Sequence, residues 1–301
     1  GRRVGDIALG SAGHFGATLG VSWRPGRTRA APAERPQIVV IGMRDAQTRS
    51  RWLAEALGEK GVSTLRADKR GMFGSKAAIT DANQVRIADY AVDTRNWVQA
   101  LRKRTGAHCV WVLGHSEGGL VALAAAQQTQ GICGLILVAS PGRRLGAVIR
   151  EQLEANPANA SLLPEALAAV ESLEAGKAVD TTGMPAPLLA LFSPKVQPFL
   201  IDLLRKDPAA LAAKTKLPML IVRGGKDIQV AAADAQALHA ARPDAELLTP
   251  ANMNHVLKDV NGDDRASNLA AYADPSLPVD QALVDGIAGF LKDWEASGQK
   301  I

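Results

Sequence analysis

In Gly114-His115-Ser116-Glu117-Gly118-Gly119 a serine is framed by a glycine two residues before it and another two residues after. About 0.1 such matches are expected by chance at this composition. A serine hydroxyl is a weak nucleophile until a base takes its proton, and a histidine oriented by a carboxylate is the usual base. Five histidines are available. His14 sits in an N-terminal hairpin pattern, His108 opens a strand at its wrong end, and His239 lies on a helix ahead of Pro243. His115 adjoins Ser116 and is expected to point away from it. His255, in Asn252-Met253-Asn254-His255, lies on a loop after the last strand, at the sheet end where Ser116 emerges. For the acid, Arg223-Gly224-Gly225-Lys226-Asp227 brings Asp227 to a loop at that same end. The alternatives are worse placed. Asp259 reaches His255 only if 254–259 form a helical turn, and Asn261-Gly262 is a turn signal that carries Asp263 and Asp264 into solvent. Asp227 also suits the N-cap of a helix over Ile228–Ala241. The chemistry implied is acyl transfer through Ser116, with His255 as base and Asp227 fixing its tautomer.

Strands must hold these loops at one edge. Gln37–Gly42, Val62–Ala67, Cys109–Leu113, Leu135–Ala139, Pro218–Val222 and Ala245–Leu248 are short apolar runs of buried-strand type. Between them lie helical patterns over Arg49–Lys60, Asp81–Thr105, Glu117–Gln128, an Ala-rich segment before Pro243, and about Val279–Trp294. On the helix from Asp81, Val85, Ala88, Val92 and Trp97–Val98 fall near one face. The alternation predicts an α/β fold, a mostly parallel sheet of about eight strands with helices on both faces. Val4–Leu9 and Ala17–Trp23 suggest an antiparallel hairpin before it. Residues 143–216 carry no convincing strand and seven prolines, and read as a helical cap inserted into a core formed by 1–142 and 217–301.

The chain has 301 residues, 47% hydrophobic and 22% charged, an ordinary globular composition that excludes a disordered chain. The net charge of +5 is scattered among acids rather than gathered in a stripe, which argues against nucleic-acid binding. Gly118–Gly142 is uncharged and long enough for a bilayer, but Gln127-Gln128-Thr129-Gln130 in its middle makes helix, turn and strand the better reading. No membrane anchor is expected. Two cysteines make neither a disulfide scaffold nor a metal cage. Cys109 and Cys133 are expected as buried free thiols rather than a bridge. The first residue is Gly1, so the compartment stays open: cytoplasmic or, after signal cleavage, periplasmic or secreted.

The ordered set Leu65-Arg66-Ala67-Asp68-Lys69-Arg70-Gly71, Gly114 to Gly119, Ser193-Pro194-Lys195-Val196-Gln197-Pro198, Gly225-Lys226-Asp227-Ile228-Gln229-Val230 and Asn252 to Lys258 resembles the α/β-hydrolases. More narrowly, it resembles bacterial serine carboxylesterases with a GHSEGG elbow, over about Gly16–Trp294. That resemblance implies hydrolysis of small, simple carboxylic esters without cofactor or metal, and makes Asp68 a turn-forming residue; a monomer or homodimer is expected, with the choice between them left open. It also implies an oxyanion hole from the backbone N–H groups of Glu117 and Met43. Relatives usually carry a Gly-rich or His-Gly turn where this chain has Gly42-Met43-Arg44-Asp45, and the bulkier residues narrow the acyl site. Leu188, Leu191, Phe192 and Phe199 are candidate pocket residues on the cap. Arg44, Lys69, Arg70, Arg143 and Arg144 follow strand ends near the site, where salt bridges are the expected role ahead of selection for acidic substrates. An aminopeptidase or thioesterase on the same three residues is the alternative, and a non-catalytic binding protein is another. An aminopeptidase would need cap acids, but Glu151, Glu154, Glu165, Glu171 and Glu174 fall at spacings that place them on solvated helix faces.

Overall fold

The computed structural model describes residues 21–24, 36–41 and 49–298. Continuous apolar runs become the strands. They are β1 (Val21–Arg24), β2 (Gln37–Ile41), β3 (Ser63–Ala67), β4 (Val110–His115), β5 (Ile132–Val138), β6 (Met219–Val222) and β7 (Glu246–Leu248). They form one sheet in the order β1-β3-β2-β4-β5-β6-β7, antiparallel only where β1 meets β3. Seven strands are therefore seen among the described residues, against about eight expected. The proposed strand Val4–Leu9 lies outside those residues.

Helices α1 (Arg49–Glu59), α2 (Ile87–Thr105) and α3 (Glu117–Ala125) connect the first strands. Along the central strands side chains alternate between two cores, as a period of two requires. Val39, Ile41, Val110, Val112, Leu135, Leu137 and Ile221 face α2 and α3. Ile38, Val40, Trp111, Leu113, Ile136, Val138 and Leu220 face α1 and the C-terminal helix. Helix α3 is buried almost all round, and it sits over β4. Helix α2 starts at Ile87, later than the expected Asp81, after a short 3₁₀ turn at Ala82–Gln84. Its buried face is Ile87, Tyr90, Ala91, Thr94, Val98 and Leu101, whereas Ala88 and Val92 are exposed. Asp89 accepts a hydrogen bond from the Arg86 N–H at 2.8 Å and so fixes the first turn.

Five helices separate β5 from β6: α4 (Leu145–Glu154), α5 (Leu163–Glu174), α6 (Ala186–Phe192), α7 (Gln197–Leu204) and α8 (Pro208–Lys214). The first four enclose a small core of their own, with Ala166, Val170, Leu173, Met184, Leu188, Phe192 and Leu204 buried together. Ala212 of α8 packs instead with the core over the sheet. Helices α9 (Ala232–Ala241), α10 (Arg265–Ala273) and α11 (Gln281–Ala296) complete the chain. Among the described residues no single helix is long and apolar enough to cross a membrane.

The cysteines correct the sequence reading: Cys109 and Cys133 form a disulfide. Strict alternation would put Cys133 on the face of Leu135 and Leu137, opposite the Cys109–Trp111–Leu113 face. The β4–β5 register runs Val110↔Ile132 and then Val112↔Leu135, so β5 carries one extra residue. That bulge turns Cys133 onto the face of Cys109.

Candidate active site

The serine, the acid and the histidine all follow C-terminal ends of parallel strands: Ser116 follows β4, Asp227 follows β6 and His255 follows β7. Ser116 is half-buried and has φ 54° and ψ −125°, a conformation few residues with a side chain adopt. The sharp strand-to-helix turn brings backbones together. A Cβ on Gly114 would lie 2.5 Å from the Gly118 carbonyl carbon and 2.6 Å from the Gly119 Cα. The glycine is thus required by close approach. The Ser116 N–H donates to the Val138 carbonyl at 2.9 Å, anchoring the turn to β5. Glu117, next along, opens α3, so its N–H belongs to the unpaired first turn of a helix.

His255 is buried, and its Nδ1 lies 3.0 Å from Asp227 Oδ2. The other carboxylate oxygen of Asp227 accepts from the N–H groups of Gln229 at 2.8 Å and Val230 at 2.9 Å. Such bonds suit an N-cap, but α9 begins only at Ala232, so Asp227 caps a turn rather than the expected helix. Two glycines let the acid loop dock on the histidine loop. A Cβ on Gly224 would fall 2.6 Å from the Met253 carbonyl carbon, and one on Gly225 would fall 2.8 Å from that of Ala251. In that space the Gly225 N–H reaches the Pro250 carbonyl at 2.8 Å and the Lys226 N–H reaches that of Met253 at 3.0 Å.

The histidine loop is folded by Asn254, whose Oδ1 accepts from the N–H groups of Val256 and Lys258 at 3.1 and 3.0 Å. Met253 and Asp259 form an antiparallel bridge, so 254–259 is a hairpin turn and Asp259 faces solvent. Asp263 pairs with Lys226, and Asp264 caps α10 through the Ser267 N–H. Of the weighed acids, only Asp227 meets the ring.

His115 has a contact that spacing did not reveal. Its Nε2 is 2.8 Å from the His255 carbonyl oxygen, and the two rings lie 5.1 Å apart. A carbonyl only accepts, so that nitrogen carries the proton. The residue before Ser116 thereby ties the elbow to the histidine loop. An isolated histidine beside a serine gives no sequence signal for such a bond.

The candidate pocket residues separate. Leu188 and Phe192 are core of the inserted helices, Leu191 is 41% exposed, and Phe199 makes a T-shaped contact with Tyr90, their ring centres 6.4 Å apart. A narrow cavity beside Lys69 and Tyr90, lined also by Ile41 and Asp68, has about 20 Å³ of free volume. A groove of about 610 Å³ between Arg86 and α7 contains none of Ser116, Asp227 or His255. Burial holds the Tyr90 phenol unionised, pushing its pKa to about 12. The cations near the site are paired. Arg70 grips Asp93, Arg143 grips Asp234 and Glu151, and Arg144 lies 3.4 Å from Asp207. Lys69 lies 2.6 Å from Glu117. Met43 and Arg44 lie outside the described residues. Among those described, no cluster of three or more His, Cys, Asp or Glu is arranged to hold a metal ion.

This sheet order, with the elbow after a central strand, is that of the α/β-hydrolase fold. Residues 33–181 match the Hydrolase_4 family, described as serine aminopeptidase, S33. Over 244 residues the chain is 26% identical to Esterase EstD of Thermotoga maritima, covering 79% of this chain and 55% of that protein. It thus spans about half the length of that curated relative. Est1E from Butyrivibrio proteoclasticus shares the fold with a TM-score of 0.57 and 17% identity, over 92% of this chain and 95% of its own. The enol-lactonase from Burkholderia xenovorans LB400 does so with a TM-score of 0.54 and 18% identity, over 91% and 97%.

Proposed function

We propose that the chain is a serine carboxylesterase that cleaves short-acyl esters through an acyl-enzyme on Ser116. The observation that carries this reading is the buried Asp227–His255 hydrogen bond, set at the sheet edge where the Ser116 elbow turns. With Nδ1–H given to Asp227, His255 Nε2 holds a lone pair that takes the Ser116 proton as Oγ attacks the ester carbonyl. The imidazolium is stabilised by Asp227 and returns the proton to the departing alcohol; water then repeats the cycle on the acyl-enzyme. The Glu117 N–H, at the positive end of α3, faces the developing oxyanion, and the Met43 N–H is its proposed partner. The similarity to Esterase EstD supports an ester substrate. Residues 143–216 act as a cap that limits acyl length. The Cys109–Cys133 bridge favours residence where thiols are oxidised, outside the cytoplasm.

An aminopeptidase is less well supported, despite the description of the matching family. Glu151 is engaged by Arg143 and Glu174 by Arg150, while Glu154, Glu165 and Glu171 are exposed. That leaves no buried acid on the inserted helices to hold a free amine. A fluorophosphonate probe should label Ser116, and acetyl and butyryl p-nitrophenyl esters should be hydrolysed. Absence of both results refutes the proposal.

A further inference from the structure

Glu117 stands in an awkward place for the reaction just proposed. Its N–H is to receive negative charge, yet its own side chain carries negative charge one residue from the nucleophile. An unpaired carboxylate there would repel the oxyanion in a partly desolvated site, where Coulomb energies far exceed those in water. Lys69 answers that charge. Its Nζ lies 2.6 Å from Glu117 Oε1, and the two side chains are 16% and 31% exposed. The ammonium also sits 5.2 Å from the centre of the Tyr90 ring, so its stem is held on an aromatic face. The nearby Arg70 is committed to Asp93, so the ammonium is the group left to balance Glu117.

The geometry points to Lys69 as a positioning residue for the oxyanion hole: it neutralises and holds the Glu117 side chain so that the Glu117 N–H works without an opposing charge. The inference rests on the serine-esterase reading and adds to it a residue that never touches substrate. It differs from direct recognition of acidic substrates by Lys69, which requires the ammonium to be free for an incoming carboxylate.

The test is a double-mutant cycle on the full chain, with p-nitrophenyl butyrate as the neutral substrate and a p-nitrophenyl hemisuccinate as the anionic one. Lys69→Met should lower kcat on the neutral ester about tenfold and leave KM within about twofold, as expected when transition-state stabilisation alone is lost. Glu117→Gln should cost about threefold. The double variant should also cost about threefold, not thirtyfold, because removing the carboxylate removes the need for the lysine. Lys69→Arg should recover most of the lost turnover. A purely structural role would instead make turnover follow the melting temperature, falling only in variants that melt earlier, and thermal melts of all variants read this directly. Should Lys69→Met fail to fold, Lys69→Gln takes its place in the cycle. Additive losses overturn the inference. So does a Lys69→Met effect confined to KM for the hemisuccinate. Wild-type protein that hydrolyses esters and is labelled at Ser116 while Lys69→Met turns over normally overturns this inference alone; wild-type protein that does neither overturns the esterase reading as well.

Discussion

Replacing Gly224 by alanine should disconnect the acid from the histidine without touching either. The added Cβ would stand 2.6 Å from the Met253 carbonyl carbon, where ordinary contact begins near 3.4 Å. The obstacle is backbone, so no side-chain rotation relieves it. The acid loop and the histidine loop must therefore part by about 1 Å, counting the still closer carbonyl oxygen. The Asp227–His255 hydrogen bond starts at 3.0 Å and passes beyond hydrogen-bonding length after such a shift. Misplacement by about 1 Å costs on the order of 10²-fold, and full loss of the acid's orienting role about 10⁴-fold, so kcat should fall within that range. Overpacking of this kind should also cost about 1–3 kcal/mol of stability. Gly289→Ala is the control. Its Cβ meets nothing within 4 Å on α11, and a helix interior gains up to about 1 kcal/mol from the change. The assay is kcat on p-nitrophenyl butyrate beside thermal melting of both variants. Wild-type kcat in a folded Gly224→Ala variant would refute the claim that close docking of these loops holds the acid in place.

Ser116→Ala should lower kcat by several orders of magnitude while the protein stays folded and binds substrate; near-wild-type turnover ends the serine mechanism. Asp227→Asn should cost roughly 10³–10⁴ in kcat, and Asp259→Asn little, since Asp259 faces solvent; the reverse ranking would move the acid to the later loop. Cys109→Ala with Cys133→Ala should cost about 3 kcal/mol, for a bridge between residues 24 apart, read as a lowered melting temperature that reductant no longer changes. The Tyr90 phenol, unionised up to about 12 in the fold against 10.0 in a free chain, contributes stability below pH 10 that drains away as pH climbs towards 12. Tyr90→Phe should abolish that alkaline component of the melting curve; an unchanged curve would contradict it. Activity along an acyl series should peak at short chains, and a kcat/KM still climbing at long-chain esters would refute a size limit.

What spacing reveals and what it hides divide along physical lines. The elbow was legible because Gly-x-Ser-x-Gly sits between an apolar run and a helix, and Gly114 answers a local steric demand. His255 and Asp227 were legible because parallel strands put their following loops at one sheet edge. The partners of His115 and Lys69 were not. Both contacts join residues far apart in the chain, and only the final packing brings them together. Gly224 and Gly225 read as residues for a sharp turn, yet neither has a positive φ. Their purpose is nearness to another loop. The start of α2 slipped because Val85 continues the helical spacing, although it lies in irregular backbone between a 3₁₀ turn and the helix. Leu188 and Phe192 looked like a pocket roof because apolar residues on an inserted helix serve equally well as that insert's own core.

The cysteine bridge closes the chain into a covalent ring that contains β4, the elbow and all of α3. Within that ring the polypeptide comes to the surface at Gln127, Gln128, Thr129 and Gln130, all exposed. A protease that cuts there opens the ring without dividing the molecule. The severed protein would migrate as one species until its sulfurs are reduced, then separate into two pieces. Until that moment Ser116 stays fastened to the strand beside it, whatever happens to the peptide bond between them.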